Sequence, residues 1–515
     1  VNALGCFSFV YSGKDVHFRL SEENADGDET DSHFVIGSLL NRGLLVGGGC
    51  VDNICNWKPN LTPISDDRSG IINRRNIDAV HVFVDISGSE VLVNRDSPQY
   101  HAACWVLHED PMRTMPTDAS FVQRYALASL YFATMGERWF ERYSFLSGHH
   151  ECEWGILRDN KNTYGVSYCD EQYRITAMDL SRNNLNGSIP KEFGRLLRLI
   201  QLNFWSNQLS GPIPDELFDA RELVYLELSS NNLNGTISSR IGNLQKMTYF
   251  SAPDNNLTGA IPEEFYGLQS LRTIHLDGNH LSGTLSTKIG RLSTLEYFTI
   301  SDNMIHGSIP TEIGDCSFLR HLWIKKNDIT GVIPLSITSL TELQQIWLHE
   351  NKLIGSIPAG IGALSNLEEF LVAKNSLTGT IPESIGKITK LDRLWLDNNN
   401  ITGTIPPRLA DLSSLDELRL EGNHLSGDIS SLFCESSKTD LSLLSSDCGV
   451  GADPQITCTC CSECHGPFSS NVRSGPCPST EIEVEIKFDE SLKLVHPWLL
   501  GVWSLLDGRS NVILQ

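Results

Sequence analysis

The central part of this chain repeats a 24-residue segment eleven times, from Ile175 to Ser430, without an insertion or a deletion. Each copy has the form L-x-x-L-x-L-x-x-N-x-L, so that one Asn recurs at a fixed interval. A copy of this length cannot bury its own apolar residues, and neighbouring copies must therefore stack and share one core. The repeat predicts an elongated solenoid whose two ends need caps.

One copy, Leu343 to Pro358, shows how each repeat is expected to fold. Ile346 and Leu348 alternate with outward residues, which predicts a short strand with one apolar face. Asn351 then turns the chain, and its amide can bond backbone groups that would otherwise be buried without partners. Pro358 excludes a long helix, so extended chain and short helical turns are expected opposite the sheet. Stacked copies predict an asparagine ladder made of Asn183, Asn207, Asn231, Asn255, Asn279, Asn303, Asn327, Asn351, Asn375, Asn399 and Asn423.

The second part of the copy, N-x-L-x-G-x-I-P-x-x-I-G-x-L, resembles the plant-type leucine-rich repeat of receptor kinases, receptor-like proteins and polygalacturonase inhibitors, which algal proteins also contain. The sequence departs from that pattern at Ser238, Ser286 and Ser430, where the family has Pro. The resemblance implies an α/β solenoid, a leucine-rich-repeat horseshoe or superhelix with a parallel sheet on its concave face. A helical N-terminal cap and a Cys-rich C-terminal cap would close its ends.

The sequence divides into five segments. We expect a poorly defined, partly disordered region over 1–96, a helical cap over 97–174, the repeats over 175–430, a Cys-rich cap over 431–477 and an incomplete segment over 478–515. Because the chain begins with Val1, it is expected to be a fragment of a longer protein.

The first segment contains two readable stretches. Ser21 to Ser32 carries six carboxylates and no basic residue, a composition typical of a solvated, disordered run. His81 to Val93 alternates between apolar and polar residues, which predicts a strand or a hairpin that turns at Gly88. A second alternating stretch, Thr480 to Phe488, predicts a strand near the C-terminus. Trp498 to Leu506 is apolar but too short to cross a bilayer.

Two helices are predicted in the N-terminal cap. The first starts at Pro98 and stops at Asp110, and the second follows a capping residue at Thr117 or Asp118. The apolar stripe of the second helix consists of Phe121, Tyr125, Ala128 and Phe132. Beyond it, C-x-W and G-V-x-x-C resemble the plant N-terminal cap with about ten extra residues between them, and this resemblance implies a disulfide between Cys152 and Cys169.

Seven cysteines follow the last repeat, at positions 434, 448, 458, 460, 461, 464 and 477. Cys458, Cys460, Cys461 and Cys464 are spaced so that they suit either disulfides or a zinc ion. We favour disulfides and no metal, because glycosylation sequons indicate a secreted chain. The five sequons are at Asn60, Asn186, Asn234, Asn256 and Asn400, although the repeat consensus itself generates most of them. Cys316 stands alone in its repeat and is expected to pack as a small apolar residue.

The strand phase identifies the residues that face outward from the sheet. Between the two inward strand residues, successive repeats place Asp179, Asn203, Glu227, Ser251, His275, Thr299, Trp323, Trp347, Leu371, Trp395 and Arg419. Repeats seven to ten thus form an apolar column around which lie His321, Lys325, Lys326, His349, Glu350, Arg393, Asp397 and Glu421. A second aromatic line contains Tyr225, Tyr249 and Tyr297.

Two interpretations of the column are open. Aromatic side chains on neighbouring strands stabilise a sheet by packing on one another. Rigid aromatic side chains on a concave surface also bind sugars or peptides at a low entropic cost. We therefore expect a ligand-binding face made of Trp323, Trp347, Leu371, Trp395, His321, Lys325, Lys326, His349 and Arg393.

The function expected from this pattern is recognition without catalysis. A formal net charge of −23 argues against binding to nucleic acid or to an anionic membrane. The sequence contains no glycine-rich loop, H-R-D or D-F-G of a kinase, and no cofactor motif. The resemblance implies an extracellular or cell-surface module that binds a protein, a peptide or a carbohydrate. The alternatives are an inhibitor similar to polygalacturonase inhibitors, a cell-wall adhesion protein, or the ectodomain of a receptor kinase anchored through sequence outside this chain.

Overall fold

The computed structural model describes three N-terminal strands together with residues 69–158, 162–434, 441–448 and 456–465. The three strands, Cys6–Ser12, Asp15–Ser21 and His33–Val35, form a small antiparallel sheet. The rest of the acidic run, Asn60, Cys477 and the two C-terminal stretches at 480–488 and 498–506 lie outside the described residues. Among the described residues, no helix is both long enough and apolar enough to cross a membrane.

A sheet of fifteen strands runs along the solenoid, and its strands are parallel from the first repeat onward. In the strand Gln345–Trp347 burial alternates as predicted: Ile346 and Leu348 are fully buried, whereas Gln345 and Trp347 face the other side and are half-buried. The strands are Gly155–Arg158, Asn162–Cys169, Ile175–Asp179, Gln201–Asn203, Tyr225–Glu227, Tyr249–Ser251, Thr273–His275, Tyr297–Thr299, His321–Trp323, Gln345–Trp347, Glu369–Leu371, Arg393–Trp395, Glu417–Arg419, Leu443–Ser446 and Glu463–Cys464.

Short strands and single 3₁₀ turns form the opposite side of the solenoid, as the Pro present in most copies predicted. The short strands are Asn186–Ser188, Gln208–Pro212, Asn232–Thr236, Asn256–Gly259, His280–Leu281, His306–Ser308, Asp328–Thr330, Ile354–Ser356, Ser376–Thr378, Thr402–Thr404, His424–Asp428 and Ile456–Thr457. The 3₁₀ turns are Lys191–Arg195, Asp215–Asp219, Ser239–Asn243, Glu263–Gly267, Thr287–Arg291, Thr311–Asp315, Leu335–Ser339, Ile361–Ala363, Glu383–Lys387 and Pro407–Asp411. The polypeptide therefore closes each repeat without an α-helix.

The predicted asparagine ladder is confirmed. Asn231 donates from Nδ2 to the carbonyls of Phe204 and Leu228, each at 3.0 Å, and its Oδ1 accepts from the Leu209 N–H at 2.9 Å. Each asparagine thereby joins its own turn to the preceding repeat. At the N-terminal end, Asn183 bonds both the N–H and the carbonyl of Glu141, so the cap takes the place of a preceding repeat.

The N-terminal cap contains four α-helices: α1 (Ser69–Ser87), α2 (Ser89–Val93), α3 (Pro98–Cys104) and α4 (Ala119–Ala133). A π-helical turn, Trp105–Glu109, extends α3 up to Asp110, and 3₁₀ turns occupy Gly136–Arg138 and Glu151–Glu153. The predicted core stripe of α4 is buried at Phe121, Tyr125 and Ala128, with Phe132 packed beside it. The helical cap is thus confirmed, and it includes more of the chain than the segment from 97 onward.

The strand or hairpin predicted over His81 to Val93 is wrong, because this stretch belongs to α1 and α2. Arg75, Ala79, Phe83 and Ser87 are buried at intervals of four residues, which is a helical stripe rather than an alternation. The ring of Phe83 packs on Tyr125 of α4, with ring centroids 4.4 Å apart. The sequence window began inside α1, so the earlier half of this stripe was missed.

Disulfides fasten both ends of the array. Cys152 is bonded to Cys169 in the N-terminal cap, the pair that the resemblance implied. At the other end the sheet continues beyond the eleventh repeat through Leu443–Ser446 and Glu463–Cys464, which sequence reasoning had missed. The disulfides there join Cys434 to Cys460, Cys448 to Cys464 and Cys458 to Cys461.

Cys316 is fully buried and free, as expected of a small apolar residue. Its Sγ donates a weak hydrogen bond to the carbonyl of Ile289 at 3.4 Å. Burial raises the pKa of the Cys316 thiol to about 12, so the group is neutral at physiological pH.

Candidate ligand-binding face

The predicted apolar column lies on adjacent strands of the long sheet. Trp323, Trp347, Leu371 and Trp395 pair in register from one strand to the next. The indoles of Trp323 and Trp347 are stacked, with centroids 4.0 Å apart and planes inclined by 4°. Leu371 is only 3% exposed, so its side chain is the floor between Trp347 and Trp395. Direct ligand contact at Leu371, which the sequence led us to expect, stays a prediction.

The outer faces of the indoles are covered by neighbouring side chains. The His321 ring is stacked on Trp323 at 5.3 Å, and the Lys325 ammonium lies 5.4 Å from the Trp347 ring centre. The Arg419 guanidinium lies 3.9 Å from the ring centre of Trp395. The rings consequently offer their edges, rather than their open faces, to a molecule that approaches the sheet.

Two glutamates that sequence reasoning missed hold these indoles in place. Glu369 accepts a hydrogen bond from Trp347 Nε1 at 2.7 Å, and Glu417 accepts one from Trp395 Nε1 at 3.0 Å. Arg393 lies between the two carboxylates, 3.6 Å from Glu369 and 3.7 Å from Glu417. Each glutamate lies on the strand after that of its tryptophan, two residues before the residue that pairs with the tryptophan. This spacing in the sequence could have identified both glutamates.

The basic and imidazole groups around the column have different surroundings. Lys326 lies on the turn beyond the strand and forms an ion pair with Asp302 at 3.1 Å, so it belongs to the edge of the face. Burial, followed by the positive charge of Lys325, lowers the pKa of His349 to about 4. Burial also lowers the pKa of His321. Both imidazoles are therefore neutral at physiological pH, and the positive charge of this face resides on the lysine and arginine side chains.

Buried polar atoms without a hydrogen-bond partner are concentrated around the column. Of the twelve such side-chain atoms among the described residues, seven lie on this face or at its C-terminal end. They are Trp323 Nε1, Gln345 Oε1, His349 Nδ1, Arg393 Nε, Asp397 Oδ1, Arg419 Nε and His465 Nε2. Two of them, Arg393 Nε and His465 Nε2, lie within ion-pair distance of Glu417 and Glu463. Because native proteins pair nearly all buried polar atoms, this concentration identifies a surface that a ligand or ordered water completes.

Repeats three to six present a different surface at the same strand positions. Glu227 accepts hydrogen bonds from the Ser229 N–H at 2.8 Å and from the Tyr249 hydroxyl at 2.9 Å. The hydroxyls of Ser229 and Ser251 are 2.8 Å apart. Asp277 accepts from the Thr299 hydroxyl and from a backbone N–H. Of the expected second aromatic line, Tyr225 and Tyr249 stack at 4.4 Å, whereas Tyr297 contacts His321 of the column.

The cysteines and sequons lie away from the column. Two groups of C-terminal cysteine sulfurs are close enough together to hold a metal ion, but the structure bonds these sulfurs to one another in disulfides. Zinc requires thiolates, so in this state the cysteines act as crosslinks. The four described sequon asparagines are exposed on or beside the short strands opposite the long sheet: Asn186, Asn234, Asn256 and Asn400. Glycans at these positions would leave the concave face open.

Two recesses in the described structure also lie away from the column. One, of about 490 Å³, is lined by α1, α4 and the first repeat, with Arg195 and Leu197 at its edge. The other, of about 340 Å³, lies at the N-terminal end of the sheet, where Arg182 covers Trp205 at 4.0 Å. Neither recess contains a residue of the column.

Comparison with known proteins agrees with this architecture. A protein-family model described as "Leucine rich repeat" matches residues 365–425, and one described as "Leucine Rich Repeat" matches residues 174–196 and 222–244. No curated protein sequence gives a significant match.

Among solved structures, the ectodomain of the Arabidopsis receptor kinase HAESA, bound to an extended IDA peptide hormone, is similar at 32% identity and a TM-score of 0.50. That match covers 53% of this chain and 46% of the receptor chain. The Arabidopsis thaliana GASSHO1/SCHENGEN3 ectodomain is 32% identical, with 55% and 38% of the two chains covered and a TM-score of 0.47. A plant ice-binding protein is 24% identical, with 59% and 94% covered and a TM-score of 0.48. The chain spans about half or less of the length of the receptor ectodomains.

Proposed function

Since this chain is a leucine-rich-repeat protein, we propose that it is a non-catalytic recognition module that binds a peptide, or an extended segment of a protein, along the concave face of repeats seven to eleven. The tryptophan column supplies apolar contact, and the polar atoms around it supply hydrogen bonds. The HAESA ectodomain, which has a similar fold, was solved with a peptide hormone bound, and this supports a peptide as the class of ligand.

The observation that carries this proposal is the concentration of unpartnered buried polar atoms beside the column. It includes donors, such as Trp323 Nε1 and Arg419 Nε, as well as acceptors, such as Gln345 Oε1 and Asp397 Oδ1. A peptide backbone carries donors and acceptors in alternation along its length, so it can pair with both kinds of atom. Surfaces that only stabilise a sheet satisfy nearly all of their polar atoms internally, as this face of repeats three to six does except at Ser301 Oγ.

The orientation of the indoles favours a peptide over a carbohydrate. A sugar ring packs best on the open face of an aromatic ring, where its C–H groups meet the π-system. Here the stacking of Trp323 on Trp347 and the position of Arg419 over Trp395 occupy such faces. A glycan would have to displace these contacts, whereas peptide side chains can pack against the exposed ring edges. The inhibitor and wall-adhesion alternatives, which require a polysaccharide or an enzyme as partner, remain testable on the same face.

We place the module outside the cell, either secreted or held at the cell surface in a longer protein. Disulfides persist in oxidising compartments and are rare in the cytosol, and the described residues contain four. Exposed sequons opposite the binding face suit the same compartment, because glycans there do not obstruct the ligand.

The test is Trp347→Ala, measured with a peptide selected on the wild-type protein from a random linear peptide library. The exchange removes the stacked partner of Trp323 and the donor to Glu369. We expect affinity to fall by roughly 2 kcal/mol or more, as at a central anchor of an interface. The free energy of unfolding should fall by only about 1 to 2 kcal/mol, because the ring is half-buried. Calorimetric titration and thermal melting on the same preparation give both numbers.

Trp205→Ala is the matched control. Trp205 is also half-buried and also carries an arginine, Arg182, over its ring, but it lies just beyond the strand Gln201–Asn203 of repeat two. It should lose similar stability and keep the wild-type affinity. Normal peptide binding by Trp347→Ala would contradict the proposed site, and selective binding to soluble oligosaccharides with no selected peptide would favour the carbohydrate alternative.

A further inference from the structure

Two carboxylates lie side by side at the C-terminal end of the proposed binding face. Asp397 and Glu421 occupy the same position of repeats ten and eleven, two residues beyond Trp395 and Arg419 respectively. The two copies are joined there by a hydrogen bond from the Asn398 N–H to the Glu421 carbonyl at 2.7 Å. Neighbouring strands are about 4.8 Å apart, and both residues lie two positions beyond the ends of adjacent strands, Arg393–Trp395 and Glu417–Arg419. Asp397 is only 6% exposed.

The carboxylate of Asp397 is incompletely paired. Its Oδ2 accepts a hydrogen bond from the Asn398 side chain at 2.9 Å, but its Oδ1 is buried with no partner. Glu421 accepts a hydrogen bond from the Ser445 hydroxyl through one oxygen. An ionised carboxylate can accept about four hydrogen bonds, so this pair retains unused acceptor capacity.

The nearby cations are engaged elsewhere. The Arg419 guanidinium is placed over the ring of Trp395 and points its Nη2 at Glu417, 3.5 Å away. The Lys374 ammonium is bonded to Glu350 at 3.0 Å. Burial raises the pKa of Asp397 and of Glu421, and the charge of Asp397 raises the latter further. Two desolvated acids without a cation between them are destabilising, and they become favourable when a positive group is bound.

We infer that Asp397 and Glu421 form an anchor for a cationic group of the bound peptide, an ammonium or a guanidinium, beside Trp395. The inference rests on the proposed function and specifies its chemistry at one end of the face. A guanidinium or ammonium donates several hydrogen bonds, which matches the unpartnered Oδ1 of Asp397. The net charge of −23 also attracts a basic ligand over long range.

The experiment selects peptides from the same random linear library on the wild-type protein and on Asp397→Asn. Peptides selected on the wild type should contain Lys or Arg at one recurring position, and this preference should disappear on the variant. A selected peptide should bind Asp397→Asn, and separately Glu421→Gln, at least about tenfold more weakly than the wild type, since each exchange removes a charge from a charge-assisted hydrogen bond. Asp328→Asn, an exchange of the same charge on the opposite side of the solenoid, should bind as the wild type does.

A second measurement separates the anchor from a structural effect of the substitution. Replacing the basic residue of the selected peptide by norleucine should weaken its binding to the wild type but add no further loss on Asp397→Asn. Independent, additive losses would overturn the inference, as would selected peptides that lack a recurring basic residue. Those outcomes leave peptide binding itself intact. If no peptide is selected at all, the proposed function and this inference both fall.

Discussion

Repeats three to six and repeats seven to eleven have the same backbone structure, but their outward side chains form two different surfaces on the long sheet. In repeats three to six the outward residues form a network in which both carboxylate oxygens of Glu227 and of Asp277 accept hydrogen bonds from neighbouring hydroxyl and N–H groups. On this face of the described repeats three to six, one buried side-chain atom, Ser301 Oγ, has no hydrogen-bond partner. On the same face of repeats seven to eleven, six buried side-chain atoms have no hydrogen-bond partner. The comparison separates side chains that stabilise the sheet from side chains available to another molecule.

The contrast is informative because the backbone is the same in both regions. Asn255 and Asn327 make the same four hydrogen bonds. In each case Oδ1 accepts from a backbone N–H of the preceding repeat, and Nδ2 donates to one carbonyl of that repeat and to two carbonyls of its own turn, at distances between 2.9 and 3.2 Å. Differences in polar satisfaction therefore do not come from distorted strands. They arise from which side chains the sequence places at equivalent positions.

The largest expected effect tests whether the scaffold is indeed equal in the two regions. Asn255→Ala and Asn327→Ala should each lower the free energy of unfolding by roughly 2 to 4 kcal/mol, because buried N–H and carbonyl groups lose their partners. Chemical denaturation of both variants provides the measurement. A loss at one position more than twice that at the other would show that the regions differ in scaffold as well as in surface.

The next largest effect concerns the glutamates of the two regions. Glu227→Ala removes the acceptor of the Tyr249 hydroxyl and of the Ser229 N–H, so we expect a loss of about 2 kcal/mol of stability and unchanged peptide affinity. Glu417→Ala removes the acceptor of the half-buried Trp395 indole and should cost about 1 kcal/mol of stability while weakening peptide binding. Melting curves give the stability of both variants, and titrations give their peptide affinity. A loss of peptide affinity in Glu227→Ala but not in Glu417→Ala would contradict our interpretation of the two regions.

The smallest effect is a pH dependence that belongs to the aromatic region. The folded protein holds the pKa of His349 at about 4, whereas an unfolded histidine titrates near 6.5. The unfolded state therefore takes up a proton first as pH falls, and stability decreases from pH 6.5 toward pH 4. His349→Gln should reduce the stability difference between pH 7 and pH 5 by roughly 1 kcal/mol. Denaturation at both pH values checks this, with His306→Gln on the opposite side as the control for removing an imidazole; equal slopes for all three proteins would contradict it.

Much of the solenoid follows from sequence because its structure is periodic. Once Asn351 fixes the turn, the inward position of Ile346 and Leu348 and the outward position of Trp347 follow for every copy. The α4 stripe was also readable, since its spacing of three and four residues is long and uninterrupted. Non-periodic regions were harder: α1 was interpreted as a strand, and the sheet beyond Ser430 was missed because its strands no longer recur every 24 residues.

The sequence predicted which side of the sheet carries the candidate site, but not how its side chains are oriented. The strand phase says that Trp323, Trp347 and Trp395 lie on one side of the sheet, but it does not say how the rings turn about their side-chain bonds. Stacking, the cover supplied by Arg419 and the burial of Leu371 depend on contacts between repeats. Glu369 was missed for the same reason, since its role is to accept a hydrogen bond from the preceding strand.

The serines that replace proline in three repeats show how such an array can diverge. At Ser238 and Ser286 the hydroxyl accepts a hydrogen bond from the N–H two residues later, at 3.2 and 3.3 Å, and so caps the 3₁₀ turn that proline would otherwise begin. At Ser430 the hydroxyl instead accepts from the Thr459 N–H at 3.0 Å, which proline cannot do. The UCN codons of serine differ from the CCN codons of proline by a single base. A point mutation can therefore exchange serine and proline inside the array while the 3₁₀ turn keeps its start. In the last repeat the serine is needed, because Ser430 bonds the C-terminal cap.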